Sequence, residues 1–263
     1  MRFAWLLVGC MSVMAKVASN VLEVDLVFPR NDTYAPADLF PIVFAFQNPE
    51  RARLLNPDIF YTIRDWDNMF GNNSFGITWS HDLKWANWSS HDPYFVYTFF
   101  PESFRREGHY WLTWSIGWNS CDMNAFSNHG GGDIVKNDST WSVLFTIKDS
   151  AQKVDLVAAT ANKTCPKELG TAINVTGQMT LRNGNTCAVV ASSTPTPTPD
   201  PCQVKIDSAI VASMSASQHA TFCKGLHPPA DCPEEDKSAA QQLMVIGVSC
   251  FLAAVGAIGF ILM

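Results

Sequence analysis

The stretch His109-Tyr110-Trp111-Leu112-Thr113-Trp114-Ser115-Ile116-Gly117-Trp118 decides the fold class. Tyr110, Leu112, Trp114, Ile116 and Trp118 fall on one face, and His109, Trp111, Thr113, Ser115 and Gly117 on the other. Successive side chains of a β-strand point to opposite sides, so this period of two marks a strand with one face in a core. Outward from it the pattern recurs. Leu22, Val24, Leu26 and Phe28 alternate with Glu23, Asp25 and Val27, the pattern of a half-buried strand, and Pro29-Arg30-Asn31-Asp32 closes that segment as a turn. Phe40 to Phe46 is apolar on both faces, with Ile42, Phe44 and Phe46 opposite Val43 and Ala45, as a central strand requires. Tyr94 to Phe100 reads the same way up to Pro101, and Trp141, Val143, Phe145 and Ile147 alternate again. Val154 to Ala159 is expected to add a last strand.

Several short strands separated by turn signals, with little helical period, predict an immunoglobulin-like antiparallel β-sandwich over residues 20–160. Glu107-Gly108-His109-Tyr110-Trp111-Leu112 resembles the late strand of such sandwiches, where a Gly-x-Tyr corner enters a strand whose alternate residues fill the core. After the sandwich, residues 161–192 form an extension bracketed by Cys165 and Cys187, and a bridge between these two is the favoured pairing. Residues 193–201 are an alternating Pro/Thr linker, extended and open to O-glycosylation. Residues 202–237 make a Cys-rich segment in which Ile206, Ile210 and Met214 recur at helical spacing, with Asp207 or Ser208 as its cap. The fold expected is therefore mainly β, followed by a small disulfide-stapled segment with a short helix.

Both ends read as processing or anchoring signals. Met1-Arg2 followed by the apolar run Phe3 to Ala15 is a secretory signal over residues 1–19, with small residues at the cut and a mature start near Asn20. Leu243 to Met263 carries no charge and would make a helix of about 31 Å. Ser238-Ala239-Ala240 precedes it, so residues 238–263 read as a glycosylphosphatidylinositol (GPI) signal with Ser238 as the attachment residue, or as a retained transmembrane tail. The expected setting is the extracellular face of the plasma membrane or a cell wall, reached through the secretory pathway.

Six cysteines lie between the two ends: Cys121, Cys165, Cys187, Cys202, Cys223 and Cys232. An even number in a secreted chain implies disulfides, and their wide spacing lacks the close pairs of a zinc site. Sequons begin at Asn31, Asn72, Asn87, Asn137, Asn162 and Asn174, predicting a glycosylated exterior. The net charge is −6 and no Lys/Arg cluster is present, which excludes a nucleic-acid surface.

Val24-Asp25-Leu26-Val27-Phe28-Pro29-Arg30-Asn31 and Phe40-Pro41-Ile42-Val43-Phe44-Ala45-Phe46-Gln47-Asn48 resemble the opening of a family of fungal secreted proteins. The Gly108-His109-Tyr110 strand and the late Cys-rich segment with Ile206-Asp207 are similar to it as well. The resemblance implies a domain of unknown function at a fungal cell surface, frequently with a GPI-type tail, and supplies no catalytic residue.

Chemistry is sparse. Trp79-Ser80-His81-Asp82 and Trp88-Ser89-Ser90-His91-Asp92 echo each other and place two His-Asp pairs ten residues apart. Arg64-Asp65-Trp66-Asp67 offers two carboxylates beside an aromatic ring, a glycosidase ingredient. Polar loops and exposed Asp pairs are the commoner meaning of both, and no phosphate loop or nucleophile elbow is present. A copper-dependent polysaccharide oxygenase needs histidine as its first mature residue, whereas the first histidine here is His81. No catalytic residue, metal or cofactor is assigned. The nine tryptophans are unusual. Trp114, Trp118 and Trp141 belong to apolar faces, while Trp79, Trp85, Trp88 and Trp111 could form a flat platform for sugar rings. The leading reading is a non-enzymatic, membrane-anchored wall or surface-interaction protein whose partner is a polysaccharide or a surface protein. A carbohydrate-binding module using those four tryptophans is the alternative, and a glycoside hydrolase the weaker one.

Overall fold

A computed structural model describes residues 20–72, 74–123, 133–161, 169–191, 197–226 and 228–233. The expected signal (1–19), the glycine loop 130–132, Asn162, Cys165, linker residues 193–196, Ser238 and the tail 238–263 lie outside them.

Among the described residues, ten strands form two five-stranded sheets: β1 (Val21–Phe28), β2 (Thr33–Tyr34), β3 (Ala37–Gln47), β4 (Asp58–Asp65), β5 (Gly76–Asp82), β6 (Tyr94–Phe104), β7 (Gly108–Asp122), β8 (Asp133–Ile147), β9 (Gly170–Thr180) and β10 (Thr186–Val190). Sheet I has the order β10-β9-β1-β3-β6 and sheet II the order β2-β8-β7-β4-β5. Every pairing is antiparallel except β2 with β8. The alternation around Trp114 does what the sequence predicts: Tyr110, Leu112, Trp114 and Ile116 are all buried. From β3 of the opposite sheet, Phe44 meets Trp114 at 5.2 Å and Tyr61 at 5.6 Å, and Phe40 stacks on Phe145 at 5.3 Å. These ring contacts weld the two inner faces into one sandwich core. The corner before β7 is also present, with the Tyr110 hydroxyl donating to the Arg106 carbonyl at 2.9 Å.

Three expectations change. Val154 to Ala159 is not a strand; a short helix, Leu156–Ala161, stands there and turns Leu156 and Thr160 inward. The sheet does not end at residue 160, because β9 pairs along β1 from Val21 to Asp25, and the Trp141 indole donates to Thr171 across the sandwich. Cys187 bonds to Cys121, not to Cys165. Its position on β10 brings it 5.3 Å (Cα to Cα) from the far end of β7, so the bridge ties sheet I to sheet II. Closing a 66-residue separation contributes about 4 kcal/mol in the chain-entropy account. Leu181 completes a small second core around it.

β1 is buried on both faces rather than half-buried. Asp25 and Val27 point away from the core yet are 0% and 1% exposed. The cover comes from late in the chain: the helix Leu156–Ala161 and the turn Pro201–Gln203 pack on β1, and Val204 and Ile206 are buried with them. Pro201, the end of the expected linker, is therefore part of the packed structure. The helix Ser208–Cys223 follows, with Asp207 Oδ1 accepting the Ile210 N–H at 2.8 Å as its cap. Met214 buries its side chain. A second compact unit begins at Ser215 and holds the bridge Cys223–Cys232. Cys202 is disulfide-bonded as well. No helix among the described residues is long and apolar enough to cross a membrane.

Candidate functional site

The outer face of sheet II is open, and its composition is unusual. Cross-strand register sets three rungs across β8, β7, β4 and β5: Leu144, Trp111, Arg64 and Gly76; then Ser142, Thr113, Thr62 and Thr78; then Thr140, Ser115, Phe60 and Ser80. Hydroxyls thus alternate with a few large apolar groups on a surface about 15 Å wide, taking about 4.8 Å between strands. Phe60 is 44% and Leu144 37% exposed.

The β4–β5 connection adds the principal feature. Asp65 ends β4 and its Oδ1 accepts the N–H groups of Asp67 and Asn68, at 2.9 and 3.2 Å, which tightens the turn. The turn brings Trp66 back over β7, where its N–H donates to the His109 carbonyl at 2.8 Å. Its ring then meets Trp111 edge to face with centroids 4.7 Å apart, and Trp66 stays 46% exposed. Asp67 accepts the His109 N–H at 3.1 Å and lies 2.9 Å from His109 Nδ1. Those hydrogen bonds from His109 hold the Asp67 carboxyl below its ordinary pKa. Met69 closes a notch of about 280 Å³ with Thr62, Arg64, Trp111 and Thr113. Asp65 and Asp67 are both committed elsewhere, so the exposed Arg64 guanidinium has no ion-pair or hydrogen-bond partner among the described residues.

The four tryptophans singled out in the sequence do not come together. Trp111 is on this face. Trp79 lies on the core side of edge strand β5, edge-on to Phe100 at 5.8 Å. Trp85 projects from the following loop, 85% exposed, with the Lys84 ammonium 5.1 Å from its ring. Trp88 is buried, 4% exposed, between Phe46 and Tyr94 at 5.1 Å each, because the chain folds back there to plug one end of the core. Trp66, read in the sequence only as the ring between Asp65 and Asp67, and Phe60, which the sequence reading passed over, take their places. Trp66 carries no signal in strand periodicity because it sits beyond the strand's end.

The two expected His-Asp pairs also separate. His81 points inward, its Nε2 3.1 Å from Thr98 Oγ1 and its ring stacked on Tyr61, and burial lowers its pKa. Asp82 accepts the Lys84 N–H, and Asp92 accepts the Asn48 N–H. His91 is exposed beside an open groove lined by Arg51, Arg53 and Gln178. On this face the His–Asp contact that forms is instead His109–Asp67, between residues 42 apart in sequence.

Of the sequons, Asn31, Asn72 and Asn87 are exposed. Asn137 is half-buried with its amide donating to Ser120 Oγ at 2.9 Å, and Asn174 is half-buried within β9 opposite Val21. His219, Cys223 and Cys232 lie within 4.8 Å of one another, but both sulfurs are committed to the bridge and His219 pairs with Asp231 at 3.1 Å.

No curated protein and no solved structure matches the chain. A family model described as a domain of unknown function, DUF7136, matches residues 17–232, and the chain belongs to that family.

Proposed function

We propose that this protein is an extracellular, disulfide-stapled binding module that holds polysaccharide on the outer face of sheet II. The observation that carries the reading is the pair of the exposed Trp66 and the half-buried Trp111, beside Thr and Ser hydroxyls on an open sheet face. Sugar rings present apolar C–H faces and a rim of hydroxyls. An indole offers the first an apolar partner, and Thr62, Thr78, Thr113, Ser142 and the free Arg64 offer the second their hydrogen bonds. Disulfides that join sheet I to sheet II and close the C-terminal segment suit an oxidising compartment. A fungal surface setting, with the chain tethered through its C-terminal tail and displaying the sandwich toward wall polymers, fits this role. Hydrolysis is not favoured, because Asp65 and Asp67 are spent on the turn and on His109.

The test is retention on insoluble chitin, β-glucan and mannan beside a Trp66→Ala/Trp111→Ala variant. Saturable binding to one polymer, weakened at least about tenfold in the variant, supports the reading, since tenfold corresponds to about 1.4 kcal/mol. Absence of retention on all three at high micromolar protein overturns it.

A further inference from the structure

Away from that face, β1 holds a carboxyl that no N–H or O–H group fully satisfies. Asp25 is 0% exposed; its Oδ2 accepts the Gln47 amide at 2.9 Å, and its Oδ1 has no hydrogen-bond donor. A buried carboxylate oxygen without a partner is costly, so something must occupy that position. The group beside it is Glu23, two residues earlier on the same face of β1, and the two carboxyls interact electrostatically. Two ionised carboxylates cannot bond to each other; one proton between them supplies the missing donor and removes the like-charge repulsion.

A metal cation would be the other solution. It does not fit. An added Cβ at Gly170 would collide with Asp25 Oδ1 and press on Pro199, so this oxygen is already walled in by β9 and residue 199. The carboxylates of Glu23, Asp25 and Asp200 do not converge on one point as ligands of a single ion do.

We propose that Glu23 and Asp25 share one proton, and that this proton latches residues 199–206 onto the outer face of sheet I. The pair sits under that strap and is wired into it. Glu23 Oε1 accepts the Asp200 N–H in a short hydrogen bond, and the Gln47 amide that donates to Asp25 also reaches the Asp200 carbonyl at 3.4 Å. Beyond these bonds Pro201, Val204 and Ile206 are buried, and Lys205 Nζ donates to the Thr160 carbonyl. Loss of the proton to solvent leaves Glu23 and Asp25 charged, with Asp200 adding a third negative group. From the other elements Gln47 on β3 is neutral and Gly170 on β9 brings no charge. The cation near Asp25 is Arg30, past the end of β1, whose Nε–H donates to the Val27 carbonyl. Burial first, and the neighbouring carboxyl second, raise the Asp25 pKa well above its usual value, and burial raises that of Glu23. A raised folded-state value means stabilisation fully present below the unfolded carboxyl range, about pH 4, and lost as pH rises through the folded values. Acid closes the latch and alkali opens it.

Amide exchange on the full chain, corrected for intrinsic rate, tests this at Asp200 and Gln203 between about pH 4 and about pH 9. In the wild type, protection should fall by up to about tenfold per pH unit above the pair's midpoint, the slope of one proton. Asp25→Asn gives Glu23 a permanent donor and should flatten that slope. Glu23→Gln supplies the same donor from the other side, and serves if Asp25→Asn does not fold. A slope unchanged in the variant that folds overturns the proposal. So does restoration of protection at high pH by calcium and its removal by a chelator, which would make the pair a cation site.

Discussion

The two sheets turn opposite outer faces to the world. On sheet I, Val27, Val43 and Ala45 point outward and are at most 1% exposed, and the helix Leu156–Ala161 and the turn Pro201–Gln203 pack on β1 of that sheet. On sheet II, Phe60, Trp66 and Leu144 point outward at 37% to 46% exposure, with no described element on top. A sandwich needs only its inner faces to make a core, so covering one outer face is an addition and leaving aromatic rings on the other is a choice. Sheet I's outer face is built into the packed structure, and sheet II's outer face is left open, which is what the proposed binding role needs.

The sharpest way to break this comparison is to place the same charge on both faces. Ala45→Asp buries an unpaired carboxylate at a position with 0% exposure and should lower unfolding free energy by about 4 kcal/mol or lead to misfolding. Ser115→Asp, on the open face, should change it by no more than about 0.5 kcal/mol. Denaturant melts of the two variants decide, and comparable losses would mean that sheet II is covered too.

A smaller effect is expected where the strap meets the sheet. Gly170→Ala forces a methyl against Asp25 Oδ1 and Pro199, and overpacking of this kind should cost about 1–3 kcal/mol. Gly177→Ala on the same strand, with nothing within 4 Å of the added carbon, should be near neutral. Equal melting temperatures for the two variants would show that the strap yields freely.

How much of this was legible beforehand follows from the distances over which each feature is decided. The strands around Trp114, Phe44 and Phe145 announce themselves within ten residues, since period-two alternation is local. The capping of the last helix by Asp207 is local too. The burial of Asp25 was not legible, because the residues that cover it lie about 175 positions away and its own neighbours read as a solvated face. The partner of Cys187 depends on where β10 docks, which no spacing encodes. Trp88 and Trp66 were exchanged for the same reason: which tryptophan plugs the core and which lies on the open face is set by how two loops fold back, after the strand pattern has ended. The candidate site was thus half visible, through Trp111 alone.

Acidity should act on the two faces with opposite sign. The Asp67 carboxyl is held below its ordinary value by its hydrogen bonds from His109, so the pair's contribution exists above the unfolded value, about pH 3.9, and fades as pH falls through the folded one. Both side chains are about half exposed, so the effect on melting should be slight. A carbon-13 titration should place the Asp67 midpoint below that of a model peptide, and His109→Ala should return it to normal. A normal midpoint in the wild type would remove His109 as the partner that fixes Asp67 and, through it, the loop carrying Trp66.

The smallest expected change in stability is also the most informative about purpose. Thr62 lies at the centre of the hydroxyl rung, between Thr113 and Thr78, and its side chain has no protein hydrogen bond among the described residues. Valine has nearly its shape and suits a strand at least as well, so Thr62→Val should leave unfolding free energy within about 0.5 kcal/mol of the wild type. If the hydroxyl serves only the fold, nothing else should change. If the face holds sugar, the same substitution removes a hydrogen-bonding group from beneath the ligand and should weaken polymer retention severalfold at unchanged stability, the cost of one neutral hydrogen bond being about 1 kcal/mol. A stable protein with weaker retention separates recognition from folding on this face. Retention and stability both unchanged would move the contact away from this rung and toward the indole pair alone.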